Sequence, residues 1–340
     1  MRKMKTKIII SSSIVLIIIF VFLKGGYYLI NPDLRGEDIL SQQGIPTPTV
    51  IAHRGFSLIA PESTRPAYEK ARDIGVDYLE ADVQRTSDGE LIIFHDETLT
   101  RSSNIDEVYP EQTQKEVGEF TYEELKKLDF GSWFNDKYPH YASSDYRGLN
   151  ILKLKDLIHI AREGNHTPGL ILESKHPEKY PGIEKEIVQV LKEENWLNNK
   201  EINDFPKVSN SDKTFANTIF FSYSKNSLQE FKNIKPEIPR LLLITDTMIS
   251  QRSWDSWLDT ADKLADGLGV KGFMIWPWHR AAAHERKKFV FPYTINKLWQ
   301  INILANFQSS GYITDHPKLV LSFLERLPDL PEFTELTENK

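Results

Sequence analysis

The sequence predicts an α/β chain built on a TIM-type (β/α)8 barrel, preceded by an N-terminal transmembrane helix and carrying an insertion after its second strand. Three observations point there. Short apolar runs alternate with amphipathic stretches of helical length along most of the chain. Nine such runs reduce to eight parallel units once one is paired off as a hairpin. Histidines, carboxylates and cations collect at the C-terminal ends of the runs, where a barrel of this kind carries its chemistry.

The bulk composition sets the outer bounds. With 340 residues, 40% hydrophobic and 11% aromatic, the chain has ample material for a core and is not disordered on a large scale. A net charge of −6 offers no basic field for a polyanion, which excludes nucleic acid as a partner. The lack of cysteine excludes disulfides, thiolate metal sites and a cysteine nucleophile.

Taken in order, the chain opens with "MRKMKTK", four positive side chains, followed by the uncharged run Ile8–Leu23. Extended through "KGGYYLI", with Lys24 snorkelling and Tyr27 and Tyr28 at the interface, residues 8–30 can span a bilayer. No A-x-A-like site follows, which favours an uncleaved anchor over a secretory signal peptide. The basic flank then stays in the cytoplasm, and residues from about 30 onward face outside. Residues 1–30 are thus read as basic tip and anchor, and the Gly- and Pro-punctuated stretch 31–48 as a linker. The barrel is expected over 49–325, and 326–340 as a C-terminal tail.

Within the barrel the expected strands are "TVIAHRG", "YLEADVQ", "LIIFHD", "GLILESK", "TIFFSYS", "RLLLIT", "GFMIW", "FVFPYTIN" and "GYITD". Helical stretches such as "TRPAYEKARDIG", "KLKDLIHIAREG" and "IEKEIVQVLKEEN" lie between most of them. Only "RTSDGE" separates the second strand from "LIIFHD", too short for a parallel crossover. These two form an antiparallel hairpin turning at Asp88-Gly89. The stretch from about 97 to 150 lacks a clear barrel strand and reads as an insertion beside the mouth, a lid or a substrate-shaping subdomain.

The strand ends supply His53 and Arg54; Glu80 and Asp82; His95 and Asp96 from the hairpin return; Glu173 and Lys175; Ser222; Thr294 and Asn296; Thr314 and Asp315. Side chains alternate along a strand, so Glu80 and Asp82 point the same way, as do Glu173 and Lys175. Two carboxylates from one strand and a third from a neighbour converge, and they repel unless a cation sits among them. Ligands of oxygen alone suit one hard divalent ion, Ca²⁺ or Mg²⁺. Two histidines supply a general acid and base near neutrality, and Arg54 with Lys175 suits a phosphate. Each piece alone has an ordinary structural role, such as a solvated strand end or an ion pair. Their coincidence at one end of successive strands is what marks a site.

The stretch "AHRGFSLIAPESTRPAYEKARDIGVDYLEADVQRTSDGELIIFHDETLTRSSN", with "LDFGSWF", "ILESK", "PYTIN" and "GYITDHP" further on, resembles the glycerophosphodiester phosphodiesterase family over essentially all of 49–320. The resemblance implies a metal-dependent barrel hydrolase that yields sn-glycerol 3-phosphate and an alcohol. It implies His53 and His95 as the acid–base pair, and Glu80, Asp82 and Glu173 as metal ligands. Arg54 would contact phosphate with Lys175 nearby, and Glu62 would lie near the metal. The chain departs from the family pattern at Ser63, where asparagine is usual, and at Tyr293, where tryptophan is frequent. The nucleophile is water or a neighbouring glycerol hydroxyl. The expected partner is a small glycerophosphodiester or lipid-derived molecule, with the membrane reached through residues 8–30. Two alternatives stand beside this reading: the same chemistry on lysophospholipids or envelope glycerol-phosphate polymers, and a barrel that binds a phospho-ligand without turnover.

Overall fold

A computed structural model describes residues 19, 21–197, 215–272 and 275–328. Among these, ten strands form one sheet: β1 (Thr49–Ala52), β2 (Tyr78–Arg85), β3 (Leu91–Ile93), β4 (Leu152–Lys153), β5 (Gly169–Ser174), β6 (Thr218–Ser222), β7 (Arg240–Ile244), β8 (Gly267–Lys271), β9 (Phe289–Tyr293) and β10 (Gly311–Thr314). Eight of them run parallel in the order β10-β1-β2-β5-β6-β7-β8-β9, the expected α/β, TIM-like succession. The sheet does not close by a ladder. Its edge strands instead meet where the Ile295 N–H donates to the Ile313 carbonyl at 2.9 Å, just beyond the end of β9.

The hairpin forms as read: β2 and β3 pair antiparallel with Val83 opposite Ile93. β3 in turn pairs with the short β4, which the sequence reading did not anticipate. One expected strand is misplaced. "GFMIW" (272–276) follows β8 rather than forming it, and its residues 273 and 274 lie outside the described residues. The true strand, "GLGVK", has no apolar run to announce it. Its glycines answer to packing: a Cβ at Gly267 would meet the Phe289 ring at 2.6 Å, and one at Gly269 would meet Leu243 at 2.6 Å.

The alternation along β2 builds the interior from bottom to mouth. Leu79, Ala81 and Val83 join the layer between strands and helices, while Tyr78 packs inside with Ile171, Ile219, Phe289 and Phe291. Two and four residues further along the same face come Glu80 and Asp82, so the barrel is apolar below and ionic above.

Two boundaries shift. Part of the expected 31–48 linker is a helix, Arg35–Gln43, whose Ile39 and Leu40 join Ile45 in the apolar cluster at the N-terminal ends of the strands. Burying these side chains, each worth about 1.5–3 kcal/mol, outweighs the polar look of the segment. At the other end Arg326, expected as the start of a tail, binds the buried Asp77 at 2.7 Å and the Pro48 carbonyl at 2.8 Å. Residues 329–340 lie outside the described residues.

Most of the expected anchor, residues 8–18 and 20, also lies outside the described residues, and the chain is helical over 21–30. Among the described residues no helix is long and apolar enough to cross a membrane. The insertion carries its own small core of Leu99, Ile105, Val117, Phe120, Leu125 and Phe130, set against Ile92 and Phe94 of the hairpin.

Candidate active site

The first strand delivers His53 at the mouth, with its N–H bonded to the Thr314 carbonyl at 2.9 Å. The chain then turns sharply through Arg54 (φ 56°) and Gly55 (φ 84°). Glycine is required at 55, because a Cβ would lie 2.6 Å from the Ala67 backbone. The left-handed Arg54 is held by its own N–H, which donates to Glu80 Oε2 at 2.7 Å.

Glu80 and Asp82 on β2 and Glu173 on β5 bring carboxylate oxygens within 4.8 Å of one another, all three residues buried. The in-register pairing of Asp82 with Glu173 makes this possible. Lys175 Nζ lies 3.1 Å from both Asp82 Oδ1 and Glu173 Oε1. Arg54 Nε makes a charge contact with Asp82 Oδ2 at 3.2 Å, without hydrogen-bond alignment.

Burial and the charge of Asp82 push the Glu80 carboxyl well above its usual range, and burial raises Glu173 to about 7 despite Lys175. Burial also opposes ionisation of Asp82, yet Lys175, His95 and Arg54 hold it far down. Three buried oxygen ligands, two of them driven toward protonation by their surroundings, fit a hard cation. Asp82 Oδ2, buried with no hydrogen-bond partner among the described residues, fits it too.

The two histidines share one arrangement. His53 Nδ1 is 2.6 Å from Asp315 Oδ1, and His95 Nδ1 is 2.6 Å from Asp96 Oδ1. Asp315 also accepts from Asn296 Nδ2 at 2.6 Å and Ser57 Oγ at 3.1 Å. Burial opposes its ionisation, but the bonds from His53, Asn296 and Ser57 bring it down to about 2. Burial and then the Arg54 charge lower His53, against the pull of Asp315. The N–H of Phe94 bonds to the Asp82 carbonyl at 2.9 Å, which sets the hairpin return, and so His95, beside the carboxylates.

Glu62 lies in the same network: it accepts from Arg54 Nη1 at 2.8 Å and, with both oxygens, from Arg101 at 2.7 and 2.8 Å. Arg101 also binds Asp96, linking the insertion to the His95 pair. A cavity of about 620 Å³ opens over Glu173, Lys175, His95 and Tyr223, and the Tyr223 hydroxyl lies 2.8 Å from that of Tyr293.

All eight predicted site residues therefore surround one mouth. Arg54 and Lys175, expected to face a phosphate, are engaged with carboxylates instead. Ser222 lines the same cavity, its Oγ accepting from the Ser224 N–H at 3.1 Å and from Ser174 Oγ at 3.4 Å. Sequence reasoning gave no role to Asp96, Asp315 or Asn296, although all three sit on strand ends. Arg101, in the insertion, carried no local signal.

Comparison with known proteins gives the family. The model of the glycerophosphoryl diester phosphodiesterase family matches residues 53–319. A glycerophosphodiester phosphodiesterase of Bacillus subtilis is 30% identical over 276 residues, covering 79% of this chain and 84% of the relative. One from Caldanaerobacter subterraneus is 28% identical, covering 82% and 98%. The structure of an Oleispira antarctica phosphodiesterase in complex with the product sn-glycerol-3-phosphate superposes with a TM-score of 0.62 at 26% identity, covering 82% of this chain and 97% of that one.

Proposed function

The chain belongs to the glycerophosphoryl diester phosphodiesterase family and is a phosphoric diester hydrolase; from that premise we infer that it cleaves glycerophosphodiesters to sn-glycerol 3-phosphate and an alcohol with His53 and His95 as its acid–base pair. The observation that carries the reading is the matched pair of histidine–carboxylate bonds beside the buried triad. Each Nδ1 is bound to a carboxylate, which fixes the ring and leaves Nε2 for proton transfer.

Burial and then the Arg54 charge lower the His53 pKa, which suits it to the base, taking a proton from the nucleophile while Asp315 supports the resulting imidazolium. His95, backed by Asp96, donates a proton to the leaving oxygen as its bond to phosphorus breaks. Glu80, Asp82 and Glu173 would hold one divalent ion, Ca²⁺ or Mg²⁺, whose charge offsets that of the nonbridging oxygens. Once these carboxylates are satisfied elsewhere, Arg54 and Lys175 are placed to meet the phosphate from the same wall.

A second reading keeps this chemistry and takes larger substrates, lysophospholipids or glycerol-phosphate polymers. The cavity of about 620 Å³ favours it, with room for more than a small alcohol. We further read the run Ile8–Leu23 as an uncleaved anchor that leaves the barrel outside the cell membrane. The test is release of glycerol 3-phosphate from glycerophosphocholine by full-length protein, with EDTA abolishing it. H53A or H95A retaining activity within about tenfold of the wild type would overturn the acid–base assignment.

A further inference from the structure

The chain on the N-terminal side of the barrel does not hang from its bottom. Asp33 Oδ2 is 2.9 Å from His284 Nδ1, and Arg35 Nη2 donates to the Ala281 carbonyl at 3.1 Å. Both partners belong to the helix Pro277–Glu285, which descends from the mouth after β8. Nearer the N-terminus, Lys24 Nζ lies over the Trp278 ring, 5.0 Å from its centroid, at the mouth end of that same helix. Followed backward from Asp33, the helix over 21–30 therefore climbs along the barrel wall toward the mouth, in the direction of the N-terminus.

The rim at that place is unusually apolar. Trp276, 45% exposed, opens the helix after β8 and stacks on Trp278 at 5.1 Å with planes 4° apart. Leu298 and Trp299, 51% and 55% exposed, open the helix Leu298–Asn306 after the neighbouring strand β9. Lys271 and Lys297 beside them are exposed as well. Tryptophans, a leucine and lysines at one level are the residue types that settle at a bilayer interface, rings among the head groups and ammonium groups toward anionic lipid. An exposed apolar set of this kind marks an interaction face, and the course of the helix over 21–30 points to a membrane.

We propose that the rim carrying Trp276, Leu298 and Trp299 is a bilayer-docking face that turns the catalytic mouth toward the membrane surface. The proposal rests on the anchor reading, and it deepens the phosphodiesterase reading by bringing head groups of bilayer-resident lysophospholipids within reach of the site.

The test uses full-length protein in phosphatidylglycerol-containing nanodiscs whose acyl chains carry bromine, a short-range quencher of tryptophan fluorescence. A substantial part of the wild-type emission should be quenched, and the quenched part should fall at least twofold in W276S/W299S. Equal quenching in the two proteins, or none in the wild type, would overturn the docking face. Circular dichroism and Tm check that the variant is folded; W276F/W299F, which keeps the apolar rim while removing the same emitters, should match wild type in retention of the mouth at the surface, read by bromine quenching of the five tryptophans that remain, of which Trp278 lies at the rim. Loss of that quenching in the conservative variant would also count against docking. Alkaline carbonate extraction reads the anchor separately. Turnover of water-soluble glycerophosphocholine by the same samples reads the phosphodiesterase assignment separately, and W276S/W299S should leave it unchanged.

Discussion

His53 Nδ1 and Asp315 Oδ1 lie 2.6 Å apart, joining the outlet of the first parallel strand to the outlet of the last. In the proposed role of His53 as base, the bond orients the imidazole and supports the charge it acquires. In D315N, kcat should drop on the order of 10²–10³-fold with KM little altered. A steady-state comparison on glycerophosphocholine checks this, and a change confined to KM would contradict it.

The same carboxylate ties folding to pH. Asp315 titrates at about 2 in the folded chain, against about 3.9 when unfolded. Because the folded value is the lower, its stabilising contribution is complete above the unfolded value and is lost as pH falls through the folded one. The side chain is partly solvated, so the contribution is on the order of 1–2 kcal/mol. Urea unfolding should show D315N less stable than wild type by about that amount at pH 7, with the gap narrowing from pH 4 downward.

Lys175 neutralises the triad from within, 3.1 Å from two of its carboxylates. Replacing it by methionine should cost the metal-free protein about 3–5 kcal/mol, the scale for a buried charge stripped of its partner. Ca²⁺ or Mg²⁺ should then raise the Tm of K175M more than that of wild type. Thermal scans with EDTA and with each ion measure both quantities, and they also rank the two ions.

Ser63 stands at φ 59°, a backbone region that asparagine tolerates better than serine. Its N–H donates to the Arg54 carbonyl at 3.0 Å, so this turn sets Glu62 against the active-site arginine. S63N should stabilise the protein by roughly 0.5 kcal/mol, read as a small rise in Tm with activity retained. A fall in Tm would show that the buried Oγ position cannot take the larger amide.

The alternation of "YLEADVQ" already fixed which side of β2 faces inward, and the hairpin followed from a linker too short to cross over. For that reason Glu80, Asp82 and His95 were legible as one group before any coordinates. β8 was not, because its glycines are explained by Phe289 and Leu243 on neighbouring strands, not by a pattern of its own. The helix Arg35–Gln43 hid for a related reason: its few apolar residues matter only against the barrel floor. Arg101 reaches Glu62 across 39 positions of sequence, and no local motif records such a contact. Asp315 was visible as a strand end, yet its partnership with His53 depends on β10 lying beside β1.

The helix Arg35–Gln43 decides where the chain tolerates a cut. A protease cutting before Asn31 would leave the barrel with its floor, the His284–Asp33 pair and its mouth intact. A cut between Gln43 and Thr49 would leave that helix held to the barrel by side-chain packing and hydrogen bonds alone. If Leu40 and Ile39 left with the helix, the apolar floor would open to water. The protein thus has one permissive cleavage zone and one destructive one, separated by a single nine-residue helix.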